Sequence, residues 1–407
     1  MSEATANAAK DTLGPGASGK NRGLRSADLL YSETETELRG AVRALLEDKA
    51  AWRDVLARTE TPQTYDDKLW RTLAADVGVA GLLVPESLGG AGASYREAAV
   101  VAEEIGRAVA PVPFLGSAVI ATTALSVSSD TVLLPELASG AVTAALALPF
   151  ATRPFGAGTR TRPVPTVRLD APQAGDGPGE YRLTGVVTGL ADALPADLLI
   201  VPADSVPYGL YAVRVSAGGV GKRPLTSLDM TRQLCEVRLE QARAHQVVSG
   251  RQAEDAVAAA LLAGAGMLAC EEFGLAERCL DTTVAYVKER KQFARPIGGF
   301  QAIKHRLADL WVAITQSRAA ARYAADWLAA GFGPETTLAV ALAKAACSDT
   351  ALEAAQEMIQ LHGGIGFTWE HPAHLYLKRA KADSIALGTA DAHRASLDVL
   401  ANLPGPE

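Results

Sequence analysis

The fold is decided by four short apolar runs in the middle of the chain: TAALAL (Thr143–Leu148), YRLTGVV (Tyr181–Val187), LLIV (Leu198–Val201) and LYAVRV (Leu210–Val215). Gly, Pro and Asp residues separate these runs. Short runs bounded by turn residues are typical of β-strands. They predict a small antiparallel sheet or barrel from Val142 to about Val248.

The residues before this region follow helical spacing. Ser32 and Glu35 form a capping box, in which each side chain can satisfy a free amide at a helix start. A further helix is predicted from about Tyr95 to Val109, because Pro111 cannot continue it. The N-terminal part is therefore predicted to be helical to about residue 140.

Helical spacing returns at Gln252 and lasts nearly to the end of the chain. Pro334 suits the first position of a long helix, and Gly363 and Gly364 suit its end. The apolar run Ala256–Cys270 is shorter than the roughly 18 residues of a membrane span, which favours a buried helix and no membrane span. Helices, then strands, then helices predict an α+β protein rather than a Rossmann fold.

The domains expected from this order are a disordered tail (1–25), an N-terminal helical domain (26–140), an antiparallel β-domain (141–248) and a C-terminal four-helix-bundle domain (249–407). The net charge of the 407-residue chain is −7, without a long basic run, which argues against nucleic-acid binding. No apolar signal segment is visible in the first 25 residues, and the four cysteines form no CxxC pair. Both features favour a cytoplasmic protein with reduced thiols.

Two longer segments carry a family resemblance: YVKERKQFARPIGGFQAIKHRLAD (Tyr286–Asp309) and QLHGGIGFTWEHPAHLYLKR (Gln360–Arg379). Both resemble signatures of the acyl-CoA dehydrogenases, and VPESLGGAG (Val84–Gly92) resembles the N-terminal loop of that family. The three predicted domains also match the family in order and size. The resemblance implies α,β-dehydrogenation of an acyl-CoA thioester with FAD, and a flavoprotein as electron acceptor.

The resemblance also implies where FAD binds. Arg290 can form paired hydrogen bonds with a pyrophosphate, and glycines allow a close approach of their backbone to a ligand. Taken alone, an Arg-Lys-Gln sequence would more often be a solvated helix end, and two glycines a helix C-cap. Within the family signature, the cofactor contacts map onto Arg290, Lys291, Gln292, Phe293, Phe300, Gln301, Gln360, Leu361, His362, Gly363, Gly364, Thr389, Ala390 and Asp391.

The usual catalytic carboxylate is missing. Family members place a Glu directly before a Gly-Thr pair, but here Leu387 precedes Gly388-Thr389, where Gly388 is the expected substrate contact. Other members carry the Glu on the first C-terminal helix, at a position that maps onto Gly264. Four nearby carboxylates do not align with either position of the catalytic Glu in the family. We expect a solvated or salt-bridged surface role for all four: Glu271, Glu272, Asp383 and Asp391.

The β-domain departs from the family as well. The stretches Leu146–Phe150 and Val186–Leu190 lack the family's flavin-facing groups. The chain thus keeps the elements that family members donate to a neighbour's FAD and lacks those that serve its own flavin. This pattern predicts one subunit of a heteromeric α2β2 dehydrogenase with a homologous partner, although a homo-oligomer stays open.

Two alternatives remain: a non-catalytic structural subunit that completes a partner's FAD site, or a flavin monooxygenase-like member. A metal site at His371 and His374 is not expected, because no third ligand has suitable spacing.

Overall fold

The computed structural model describes residues 27–155, 162–171, 177 and 179–401. The predicted tail, 1–25, lies outside the described residues. The N-terminal part is helical, and its first helix begins with the capping box predicted at Ser32 and Glu35. Its α-helices are α1 (Glu33–Lys49), α2 (Trp52–Thr59), α3 (Asp67–Arg71), α4 (Tyr95–Ala108), α5 (Thr122–Val127) and α6 (Leu133–Ala138). A π-helical segment, Phe114–Ala121, precedes α5.

A seven-stranded sheet follows, in the spatial order β1-β4-β5-β7-β3-β2, with β6 also paired to β7. Its strands are β1 (Ala144–Leu146), β2 (Val167–Asp170), β3 (Glu180–Leu190), β4 (Leu198–Ala203), β5 (Gly209–Arg214), β6 (Val220–Pro224) and β7 (Cys235–Ser249). All four predicted runs form strands. The predicted antiparallel pairing is confirmed for five of the six strand pairs of this sheet and is wrong for one, because β1 and β4 pair in parallel. The β2–β3 pair lies between them in the chain, and a long connection of this kind permits parallel pairing.

The C-terminal part is a bundle built on three long helices. Its elements are α7 (Arg251–Glu289), the hairpin strands β8 (Lys291–Gln292) and β9 (Arg295–Pro296), α8 (Gln301–Ala330), α9 (Pro334–His362), α10 (Ala373–Asp383) and α11 (Ala390–Leu400). The long helix α9 begins at Pro334 and is capped by Gly363, as predicted. The helical, sheet and helical order confirms the predicted α+β class.

Helix α7 is the central element of the bundle. Among the described residues it alone is long and apolar enough to cross a membrane, yet 94% of its most apolar window is buried inside the fold. Such burial is typical of the core helix of a packed domain, as predicted for Ala256–Cys270. The four cysteines are free and buried.

Helices α4 and α7 pack closely through two glycines, one on each helix. A Cβ on Gly106 would lie 2.0 Å from the carbonyl oxygen of Glu271, and a Cβ on Gly274 would lie 1.9 Å from that of Glu103. Both distances are far below van der Waals contact, so each glycine admits the backbone of the facing helix. The crossing joins the N-terminal helices to the bundle.

We expect Gly274→Ala to destabilise the protein by about 2 kcal/mol or more, because the added methyl group must push two packed backbones apart. Gly40→Ala is the matched control, since a Cβ there meets nothing within 4 Å in the middle of α1. Alanine is the better helix former, so the control should stabilise the protein by about 0.5–1 kcal/mol. Urea unfolding of both variants measures the difference. Equal stabilities would show that the crossing can relax at little cost.

Candidate functional site

The predicted cofactor residues at the end of α7 lie on an exposed hairpin. Arg290 is the C-cap of α7, and its side chain is exposed, as are those of Lys291 and Gln292. At the hairpin tip, Phe293 and Ala294 have φ values of +52° and +63°. Positive φ at both central residues is the geometry of a two-residue hairpin loop, because its twist matches that of the flanking strands β8 and β9. Phe293 is 87% exposed at this tip.

The second predicted element, at the end of α9, lies beside the first. The Tyr286 ring stacks on the His362 ring at 4.3 Å, and the Tyr286 hydroxyl donates to the His362 carbonyl at 3.4 Å. Since Tyr286 lies one turn before Arg290 on α7, this contact brings the two elements together. Gln360, Gly363 and Gly364 are exposed there.

Two of the predicted cofactor residues turn their side chains inward. Leu361 and His362 are buried, and the His362 ring also packs against His371 at 4.2 Å. Burial lowers the pKa of His362 and brings that of His371 down to about 4, so the pair packs as neutral rings. The imidazoles of His362 and His371 therefore stabilise the turn. Of Leu361 and His362, only the backbone remains able to contact a ligand.

Large exposed apolar side chains also occur on α8 and on the segment that follows α9. Phe367 is 85% exposed, and Trp369 and Trp311 are about 60% exposed. Phe300 flanks the hairpin, where its ring meets Phe293 edge-on and the Arg295 guanidinium lies 3.9 Å above it. Gln301 begins α8 and is exposed.

The two positions where family members carry the catalytic Glu face each other in this fold. A Cβ on Gly264 would lie 3.2 Å from Leu387 Cδ1 and 2.8 Å from Ile120 Cγ1. Leu387 is buried, with φ of +53°, and its amide donates to the Phe150 carbonyl at 2.8 Å. Both positions thus border one apolar contact that contains no carboxylate of α7 or of the 384–389 loop.

The cavity at this place is nearly filled. Its volume is about 30 Å³, and it is lined mainly by apolar residues that include Ile120, Leu148, Phe150 and Leu387. Ligand sites usually measure about 300–1,000 Å³, so neither a flavin ring nor an acyl thioester fits here. The chain's own flavin-ring site therefore does not fit FAD.

Asp192 is the one carboxylate in the lining of this cavity. One of its oxygens accepts from the Tyr65 hydroxyl and the other from the Gly116 amide, both at 2.8 Å. Burial raises its pKa, but both oxygens are engaged. Asp192 therefore acts as a structural acceptor between the N-terminal helices and the sheet, and not as a free base.

The loop after Leu387 is covered by neighbouring side chains. A Cβ on Gly388 would lie 2.9 Å from both Arg153 Cβ and His393 Nε2. Thr389 caps α11, and its hydroxyl accepts from the Ala392 amide at 3.3 Å. Ala390 is buried, whereas Asp391 is exposed beside Arg394. Of the predicted contacts in this loop, Thr389 and Asp391 remain exposed.

The expected surface role of Glu271, Glu272 and Asp383 was wrong. All three are at most 2% exposed and belong to a network of buried ion pairs with Arg232, Lys344 and Arg379. Asp391 alone of the four carboxylates lies on the surface. The sequence carried one signal of this burial: Glu271 and Glu272 follow directly after the apolar run ending at Cys270, where solvated residues are not expected.

Known proteins resemble this chain over most of its length. The profiles described as acyl-CoA dehydrogenase, N-terminal domain, and acyl-CoA dehydrogenase, C-terminal domain, match residues 32–141 and 229–398. The curated acyl-CoA dehydrogenase IpdE2 of Mycolicibacterium smegmatis is 36% identical over 357 residues, which are 88% of this chain and 95% of that protein.

Two solved structures are similar over most of the chain. The ChsE4–ChsE5 complex of Mycobacterium tuberculosis matches with a TM-score of 0.79 and 28% identity, covering 93% of this chain and all of that one. A glutaryl-CoA dehydrogenase of Mycobacterium smegmatis in complex with FADH2 matches with a TM-score of 0.75 and 20% identity, covering 93% and 97%. The second similarity concerns the fold alone.

Proposed function

Because the chain belongs to the acyl-CoA dehydrogenase family, we propose that it is the subunit of a hetero-oligomeric dehydrogenase that completes the FAD site of a homologous partner. The partner supplies the catalytic Glu and the flavin-ring site, and the assembly performs α,β-dehydrogenation of an acyl-CoA thioester. When bound, FAD would accept the hydride, and an electron-acceptor flavoprotein would take up the electrons.

The observation that carries this proposal is the contrast between the two halves of the family's cofactor site. The half that would serve the chain's own flavin ring is closed, with Leu387 and Gly264 at the base positions and a cavity of about 30 Å³. The half that would serve a neighbour's cofactor is open, with Arg290 and Gln360 exposed. A homo-oligomer of this chain would have donated elements but no flavin-ring site to receive them.

The residues of the open half fit an adenine dinucleotide. The Arg290 guanidinium can bind a diphosphate through two hydrogen bonds, and Gln360 offers a donor and an acceptor to a ribose or adenine edge. A Cβ built on Gly363 or Gly364 meets nothing within 4 Å, so the space above both glycines is open to a ligand. The aromatic residues Phe293 and Phe367 extend this surface outward, where a partner subunit would cover them.

Similarity to the ChsE4–ChsE5 complex, a structure that contains two named chains, also favours a hetero-oligomer. A purely structural subunit is the second candidate, and the exposed Arg290 argues for a direct cofactor contact instead. The filled cavity argues against a flavin monooxygenase-like member, because that reaction also needs a flavin ring in the chain.

We expect Arg290→Ala to reduce FAD retention about tenfold or more in the hetero-oligomer, since losing a charge-assisted hydrogen bond costs about 1.5–3 kcal/mol. The assay measures the flavin that remains bound after gel filtration of the chain co-purified with its homologous partner. Arg251→Ala, at the other end of α7, is the control and should leave retention unchanged, because Arg251 is exposed far from the hairpin. Equal flavin content in both variants would contradict the proposed contact.

A further inference from the structure

Eight charged side chains meet in the interior beside the closed cavity, and we call them the buried charge cluster. They come from the connections between the strands of the large sheet, from α7, from α9 and from α10. Each is at most 4% exposed. The members are Asp192, Asp229, Arg232, Glu271, Glu272, Lys344, Arg379 and Asp383.

The arginines of the cluster join the sheet to the bundle. Arg232, between β6 and β7, donates to Glu271 at 2.6 Å and to Asp383 at 3.0 Å. Arg379 of α10 pairs with Glu271 at 2.7 Å and with Asp229 at 2.8 Å. The connection between β6 and β7 is thereby bound to α7 and α10 through ion pairs, and Arg379 also donates to the hydroxyl of Thr231.

Lys344 ties the cluster to the loop that closes the cavity. Its Nζ donates to Glu272 Oε1 at 2.8 Å, to Ser348 Oγ, and to the carbonyl oxygen of Asp383 at 2.9 Å. Asp383 is the last residue of α10, and Leu387 follows four residues later. On the other side, the Arg232 guanidinium lies 5.6 Å above the ring of Phe150, whose carbonyl accepts from Leu387.

The cluster has more acidic than basic groups. Five carboxylates meet three cations, and within the described residues Asp383 Oδ2 and Glu272 Oε2 are buried without a hydrogen-bond partner. Both groups are paired through their other oxygen, Asp383 with Arg232 and Glu272 with Lys344. Carboxylates in excess of the cations still carry uncompensated negative charge, which is strongly unfavourable in a protein interior and is removed by protonation. Two protons would balance the five carboxylates against the three cations.

We propose that the buried charge cluster is a proton-dependent latch, which holds protons on Asp383 and Glu272 in the folded state and thereby fixes the 384–389 loop over the closed cavity. Loss of these protons leaves two uncompensated negative charges between the sheet and the bundle. Their repulsion weakens the anchoring of the loop and of the connection between β6 and β7.

The titration of these groups agrees with the geometry. Burial raises the pKa of Asp383 to about 8 and that of Glu272 to about 6. Asp383 is faced by Arg232, by Glu271 and Glu272 of α7, by Lys344 of α9 and by Arg379 of its own helix. Glu272 is faced by Lys344, Glu271 and Asp383, and by the thiols of Cys270 and Cys347. His393 of α11 lies near Lys344 and is neutral, because burial lowers its pKa to about 4.

The sign of the pH dependence follows from these directions. A carboxylate whose pKa is raised in the folded state stabilises the fold below its unfolded pKa of about 4 and loses that contribution as pH rises through the folded pKa. The latch should therefore weaken as pH rises toward about 8.

The test compares the folding equilibrium constants of the wild type and Asp383→Asn from urea unfolding between pH 5.5 and 8. The isosteric amide cannot titrate, so the ratio of wild-type to variant constants should fall roughly hundredfold over this range. Titrating groups that do not interact with Asp383 cancel in the ratio. Asp391→Asn, at an exposed carboxylate, should give a ratio that stays constant within about threefold.

Glu272→Gln provides a second measurement, and a fall in the ratio with either variant supports the latch. Ratios that change less than about threefold for both variants would overturn it.

Amide exchange of the wild type tests the loop without any substitution. After correction for intrinsic rates, protection of residues 384–389 should drop tenfold or more from pH 6 to 8.5. Unchanged protection of the loop would also overturn the latch.

Discussion

Purified without a partner, the chain should oxidise acyl-CoA thioesters at least a hundredfold more slowly than the hetero-oligomer. A positioned general base contributes about 10²–10⁴-fold to such reactions, and Leu387 and Gly264 provide no carboxylate. The cavity of about 30 Å³ also leaves no room for the thioester. The measurement is turnover of several acyl-CoAs with an artificial electron acceptor, for the chain alone and for the chain co-expressed with its partner.

The variant Leu387→Glu distinguishes a site that lacks only its base from a site that is filled by packing. In the isolated chain this substitution should not restore activity, because the new carboxylate would enter a filled apolar contact with Ile120 and Phe150. A missing base in an otherwise open site would predict partial recovery instead. Turnover by the unmodified isolated chain at about ten per second, ordinary for an enzyme, would refute the partner-subunit function.

Arg379→Met should destabilise the protein by about 3–5 kcal/mol, the second large effect. The substitution removes a fully buried guanidinium and leaves Glu271 and Asp229 without this partner, and uncompensated buried charge is the main cost of breaking such pairs. Urea unfolding at neutral pH measures the loss.

Arg394→Met is the control for this effect. Its guanidinium is about half exposed and pairs with Asp391 at the surface, where ion pairs contribute less than about 1 kcal/mol. We therefore expect the control to change stability by about 0.5 kcal/mol or less. If Arg379→Met lowers the free energy of unfolding by less than about 1 kcal/mol, water or side-chain movement compensates the negative charge that the missing guanidinium leaves behind.

Several features were predictable because they depend on neighbours along the chain. The capping box at Ser32 and the C-cap at Gly363 each need only a few adjacent residues, and both were confirmed. The four apolar runs were identified as strands for the same reason. The two signature segments identified the family, which the profile matches confirm.

The parallel pairing of β1 with β4 could not be predicted from the runs themselves. Strand direction depends on how the chain between two strands is routed, and the β2–β3 pair lies in that connection. The same holds for Glu271, Glu272 and Asp383. The hydrogen bonds to their partners Arg232, Lys344 and Arg379 span 39 to 151 positions, so no local pattern showed these pairings. The apolar run before Glu271 and Glu272 was the one local sign of burial.

By itself, the sequence determined the order of helices and strands, the family, and the absence of a carboxylate at Leu387. Only the tertiary structure decided that Leu387 and Gly264, 123 residues apart, border one contact and that Ile120 and Phe150 fill the space beside it. The physical reason is that a missing side chain is a local property, whereas the volume of a cavity depends on every element that packs around it. A missing base leaves a site that a substrate can still enter, but close packing removes the site.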